Sequence, residues 1–109
     1  MRIRRDHDSM HEEEILLLAR VSDALAHPVR IKIFQFLMQK NAARELVCNK
    51  DVVANFDYAQ ATISQHLKTL IKSGLVDVQK KDKFSYYFVN IGVHAKYADA
   101  VKKFIRQGF

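Results

Sequence analysis

The segment QATISQHLKTLIK, Gln60 to Lys72, sets Ile63, Leu67, Leu70 and Ile71 at helical spacing. Stepping about 100° per residue away from that stripe brings Ala61, Gln65, Lys68 and Lys72 to the outer face, with Thr62 and Thr69 beside them. Such a face can read nucleic acid. A glutamine amide can pair through two hydrogen bonds with an adenine edge, threonine offers a hydroxyl and a methyl group, and lysine neutralises phosphate or reaches guanine. Ala61 is small enough to let the backbone approach a base. No carboxylate stands on this face to repel phosphate.

The same residue types would suit a solvated helix surface, and the flanking segment separates the two readings. Gly74 follows directly, at the place of a left-handed C-terminal cap. LVDVQK and FSYYFV then alternate with period two and are joined across Lys81, Asp82 and Lys83, which predicts a β-hairpin. Lys80, Lys81 and Lys83 concentrate charge at its tip, where they would lie beside a duplex whose major groove held the helix. Tyr86 and Tyr87 face opposite ways, so at least one is expected to pack on the domain. Upstream, KDVVANF reads as a short helix capped near Asp51. A short helix, a tight turn, a second helix and a hairpin make a winged helix-turn-helix.

Three further helices complete the chain. SMHEEEILLLARVSDALA has Ser9 and Glu12 at capping-box spacing, and Glu12, Glu13 and Glu14 suit the positive end of a helix dipole. Its run Ile15, Leu16, Leu17, Leu18 points in every direction around a helix, so it must pack on its own domain and on something else. Pro28 opens PVRIKIFQFLMQK, a central helix with one polar stripe of Lys32, Gln35 and Gln39. Near the end, HAKYADAVKKFIRQ carries Tyr97, Ala98, Val101, Phe104 and Ile105 on one stripe. The expected fold is mainly α with a β-hairpin wing, order α-α-α-α-β-β-α, in one domain over residues 1–109 with residues 1–8 flexible.

Bulk properties agree with this. A net charge of +6 and a pI near 9.6 favour a polyanionic partner. One cysteine makes no internal disulfide, the N-terminus lacks a secretory pattern, and no stretch approaches the ~20 apolar residues of a membrane span. A cytoplasmic protein without a membrane partner is expected. With no glycine-rich phosphate loop, no nucleophile spaced to a base and no carboxylate pair, neither an enzyme nor a cofactor is implied.

ALAHPVRIKIFQFL, ATISQHLKTLIKSGLV and the basic hairpin ending YYFV together resemble the ArsR-type winged helix-turn-helix repressors, from about Leu25 to Val89. Ser-x-His-Leu-x-x-Leu followed by Gly-Leu-Val is the most particular part. The resemblance implies a homodimer on an inverted-repeat operator in double-stranded DNA, repressing by promoter occlusion. By the same resemblance Gln60, Thr62, Ser64, Gln65 and His66 join Ala61, Lys68, Lys72, Lys81 and Lys83 as DNA-facing residues. His66 also suits a half-buried histidine bonded to a neighbour. Residues 9–26 and 93–107 become dimerisation helices, with Leu17, Val21, Tyr97, Val101, Phe104 and Ile105 at the interface. Two departures stand out: Ala59 replaces the usual serine or threonine cap of the recognition helix, with Asp57 as a substitute, and Asp82–Lys83 replaces the usual wing-tip glycine.

Many ArsR-type proteins hold metals through Cys-x-Cys-Asp, where this chain reads Cys48, Asn49, Lys50, Asp51. A soft metal needs two or three thiolates, and the Lys50 ammonium adds repulsion, so no metal site is expected. His7 and His11 are four apart, but Ser9 as the cap would leave His7 outside the helix; His94 and Asp99, five apart, do not share a face. The alternatives are a metal- or redox-responsive repressor using Cys48 with His7 and His11, and a winged helix that docks on a protein. The docking reading calls for an apolar recognition face, whereas Gln65, Lys68 and Lys72 are hydrophilic.

Overall fold

A computed structural model describes residues 9–107; the segment 1–8, including His7, lies outside the described residues. The elements follow the expected order: α1 (Glu12–Ala24), α2 (Pro28–Ala42), α3 (Asn49–Asn55), α4 (Gln60–Lys72), β1 (Val76–Lys81), β2 (Phe84–Val89) and α5 (Ile91–Arg106). Burial of the apolar stripes assembles them. Val21 of α1, Ile33 and Leu37 of α2, Val52 of α3 and Ile63, Leu67 and Leu70 of α4 meet Leu75 and Val76 in one core. Burying each such side chain contributes about 1.5–3 kcal/mol, so this core supplies most of what holds the reading helix in place.

Helix α2 starts as its sequence dictates. Pro28 takes the first helical position, and His27 caps it, its Nδ1 accepting from the Val29 amide at 3.2 Å. Helix α1 starts later than Ser9 suggests. Its cap is His11, and the Glu14 carboxylate accepts from the His11 amide at 2.8 Å. This register puts Glu12, Glu13 and Glu14 all in the first turn, where the helix dipole favours them most. The His11 amide, and then Lys103 at 3.0 Å, hold the Glu14 carboxyl below its ordinary pKa.

Helix α3 also shifts. Asp51 is its third residue rather than its cap, and its carboxylate reaches back to the Cys48 amide at 2.9 Å. Ala59 is the N-cap of helix α4 and no side chain caps it, so Asp57 does not substitute there. Its far end is well secured. Gly74 adopts φ 90°, the Ser73 hydroxyl donates to the Leu70 carbonyl at 2.7 Å, and Arg20 Nε of α1 donates to the Ser73 carbonyl at 2.9 Å. A Cβ on Gly74 would meet nothing nearer than 3.8 Å, so the left-handed backbone rather than space calls for glycine.

The hairpin pairs Val76 with Val89 through Lys81 with Phe84, leaving Asp82 and Lys83 as a two-residue turn. Asp82 supplies the positive φ, 57°, that a glycine would otherwise provide; Asp tolerates this better than most residues. Tyr87 packs into the core and Tyr86 lies half-buried on the other face. Two contacts the sequence does not announce fasten the outer edge of β2. The Tyr87 amide donates to the Val47 carbonyl at 2.9 Å. From the end of α2, Asn41 Oδ1 accepts the Val89 amide at 2.7 Å, and its Nδ2 approaches the Tyr87 carbonyl at 3.5 Å. Asn41→Ala should therefore lower stability by about 1–3 kcal/mol, because a partly buried amide loses its partner. Urea unfolding checks this, and an unchanged midpoint would show that the clamp contributes nothing.

Helices α1 and α5 pack together, joined by Ser22 Oγ and the Tyr97 hydroxyl at 3.1 Å and by the Lys103–Glu14 ion pair at 3.0 Å. Val21 is fully buried in the core of its own chain, and Leu17 and Tyr97 pack against that same core. Val21 thus serves the domain itself, while Leu17 and Tyr97 remain half-buried at its surface. The large apolar side chains left outside are Ile15 and Leu16 of α1 and, on α5, Ile91 at its start and Phe104 and Ile105 near its end, while Val101 is half-buried.

Candidate nucleic-acid interface

Helix α4 turns Ile63, Leu67 and Leu70 inward, and this fixes which residues it presents to solvent. Gln60, Ala61, Thr62, Gln65, Lys68 and Lys72 are all exposed. Thr69 is half-buried, its hydroxyl donating to the Gln65 carbonyl at 3.2 Å. The open face carries amide, hydroxyl, methyl and ammonium groups and no carboxylate. It can form hydrogen bonds to base edges and ion pairs with phosphates.

Two residues of the expected set are occupied elsewhere. Ser64 accepts from Asn49 Nδ2 at 3.1 Å, which ties the two helices of the helix-turn-helix together. His66 is half-buried against α2, its ring 4.7 Å from that of His27 and its Nδ1 3.4 Å from Arg30 Nη1. Burial, then the His27 and Arg30 charges, push the His66 pKa below its ordinary value. Neither side chain points freely outward.

At the wing, Lys80, Lys81 and Lys83 are exposed. Between α3, the start of α4 and β2 runs an open groove lined by Cys48, Lys50, Gln60, Lys83, Phe84 and Ser85. Lys50 therefore shares a surface with Lys83 and Gln60, a placement its sequence spacing did not show. The turn before α4 also exposes the ring of Tyr58. Cys48 sits in the floor of the groove, its thiol donating to Asp51 Oδ2 at 3.3 Å. Among the described residues no three His, Cys, Asp or Glu side chains come together as a metal site would require. His11 is taken up as the cap of α1, and the His94 ring stands edge-on to Phe34.

Helix α3, its turn, helix α4 and the hairpin that follows define a winged helix-turn-helix, a DNA-binding fold. Residues 27–78, which span α2 to the first half of β1, match the family described as bacterial regulatory protein, arsR family. In this segment the chain is similar to the ArsR family of transcriptional regulators. A helix-turn-helix transcriptional regulator of Methanocaldococcus jannaschii is 27% identical over 71 residues, 65% of this chain and 75% of the relative. An ArsR-like transcriptional regulator from Rhodococcus superposes with a TM-score of 0.71 at 22% identity, covering 85% of this chain and 83% of its own. A homodimeric winged helix-turn-helix DNA-binding domain from Mycobacterium bovis superposes with a TM-score of 0.65 at 23% identity, covering 90% of this chain and 84% of its own.

Proposed function

We propose that this protein is a homodimeric repressor which binds an inverted-repeat operator in double-stranded DNA and blocks a promoter by occupying it. The observation that carries this reading is the exposed, carboxylate-free face of α4, flanked by a wing with three exposed lysines. Gln65 reads a base edge, Lys68 and Lys72 hold phosphates along the groove, and Lys81 and Lys83 hold the neighbouring backbone. A second copy covers Ile15, Leu16, Phe104 and Ile105, whose exposure supports that placement; the homodimeric Mycobacterium bovis domain supports a dimer as such. The protein acts in the cytoplasm and without a thiolate metal site. Lys50 stands where a second thiol would be needed, and the Asp51 carboxylate is already engaged in starting α3. No described helix is long and apolar enough to cross a membrane. The protein-docking alternative has no support on α4, whose open face is hydrophilic.

Salt dependence tests the wing. Lys81→Ala and Lys83→Ala should each weaken binding to every sequence alike and flatten the plot of log affinity against log salt by about one unit of slope. A slope identical to that of the wild type would place the wing away from the duplex.

A further inference from the structure

The inner flank of the recognition helix is fastened by three groups that can all carry positive charge. His66 of α4 leans on the His27 ring and accepts, at Nδ1, a long hydrogen bond from Arg30 Nη1. Arg30 passes the contact onward. Its Nε donates to the Ala24 carbonyl at 2.6 Å and its Nη2 to the Asp23 carbonyl at 3.4 Å, both at the end of α1. His27 accepts the Val29 amide and so caps α2. Each imidazole is used as an acceptor, which a neutral ring offers at one nitrogen and an imidazolium at none. The positive end of the α2 dipole adds to the same field. The charges acting on His66 are those of His27 and Arg30; α3 and β1, also packed on α4, contribute none among the described residues. The Asp23 side chain is exposed and meets Arg30 through its backbone carbonyl.

We propose that His66 is a positioning residue: its neutral imidazole, held between Arg30 and His27, seats the recognition helix on α1 and α2, and protonation of that imidazole unseats the helix and weakens operator binding. This rests on the reading of α4 as the DNA-binding helix. When Nδ1 takes a proton, Arg30 Nη1 loses its acceptor and a cation faces a guanidinium. The contact spans the end of α1, so a proton at His66 is felt by the helix pair proposed to hold the dimer.

The sign follows from the environment. Burial first, then the neighbouring charges, hold the folded-state pKa of His66 below its ordinary value of 6.5. The folded state thus prefers the neutral ring. Its stabilising contribution is complete above that ordinary value and is lost as pH falls through the lower, folded-state value. A His66 that instead contacted phosphate would do the opposite, because its imidazolium would strengthen binding to every duplex.

The test measures affinity for an operator duplex and for a random duplex at fixed salt between about pH 7.5 and about pH 5.5, where histidine titrates. Wild type and His66→Gln, which keeps an acceptor but takes no proton, are compared. The wild type should lose operator affinity several-fold on acidification while random-duplex affinity holds, and the variant should lose much less. Operator affinity that rises on acidification, or falls equally in both proteins, would overturn the proposal. Urea unfolding over the same range needs no DNA: the wild type should lose more stability than the variant, and equal losses also count against the cluster. Should no operator be bound at all, the DNA reading fails, while the unfolding comparison still decides the role of His66. If the variant does not fold, NMR titration of the wild-type ring decides, with a midpoint above the ordinary histidine value contradicting the proposal.

Discussion

Phe104→Glu and Leu16→Glu should each convert the protein to monomers and reduce operator affinity by about a hundredfold or more. Phe104 is 59% exposed and Leu16 56% exposed on the packed helices α5 and α1, which also leave Ile15 and Ile105 outside. Leaving such side chains in water forfeits about 1.5–3 kcal/mol apiece, and a second copy recovers that through burial. An unpaired carboxylate in the middle of the shared surface costs several kcal/mol, comparable to the whole association energy of a modest dimer. The loss of DNA affinity follows from geometry. In a dimer the second reading helix meets its half-site at an effective concentration on the order of millimolar; a monomer has no such advantage. Sedimentation on the order of tens of micromolar checks the assembly, well above the micromolar range of an ordinary specific association. A wild type that sediments as a monomer there would overturn the dimer, and either variant remaining a dimer would move the interface elsewhere.

Gln65→Ala should relax sequence preference at one position of each half-site by about 1–3 kcal/mol, the worth of a two-pronged base contact. Gln65 is exposed midway along α4, and its side chain forms no hydrogen bond among the described residues, in contrast to Ser64 and His66 on either side. Non-specific binding should persist, because the lysines remain. Competition between operator and random duplex measures the ratio, and a ratio unchanged by the substitution would mean that a different face of the helix enters the groove.

Periodicity made the reading helix legible before any coordinates. The stripe Ile63, Leu67, Leu70 required one inner face, and the outer residues followed from it by rotation alone. Gly74, Pro28 and the alternating hairpin were equally plain, because each rests on a local backbone constraint. What stayed hidden involves partners distant in sequence. Asn41 clamps β2 across more than forty residues, and Arg30 reaches from α2 to both α1 and α4; no local spacing announces either. The run Ile15 to Leu18 showed that α1 must face two ways but not which side chain turns where. Leu17 and, one turn on, Val21 went to the core, leaving Ile15 and Leu16 outside. Helix starts are ambiguous in the sequence where acidic residues allow two registers, at Ser9 against His11 and at Asp51 against Cys48.

Selection of bound sequences from a random double-stranded DNA pool tests the central claim most directly. The account predicts enrichment of an inverted repeat whose half-site centres lie about one helical turn, ~34 Å, apart, since two recognition helices related by a two-fold axis enter successive major grooves on one side of the duplex. A folded, dimeric protein that enriched no sequence over the starting pool would contradict it, and the winged helix would then be a docking surface for something other than DNA.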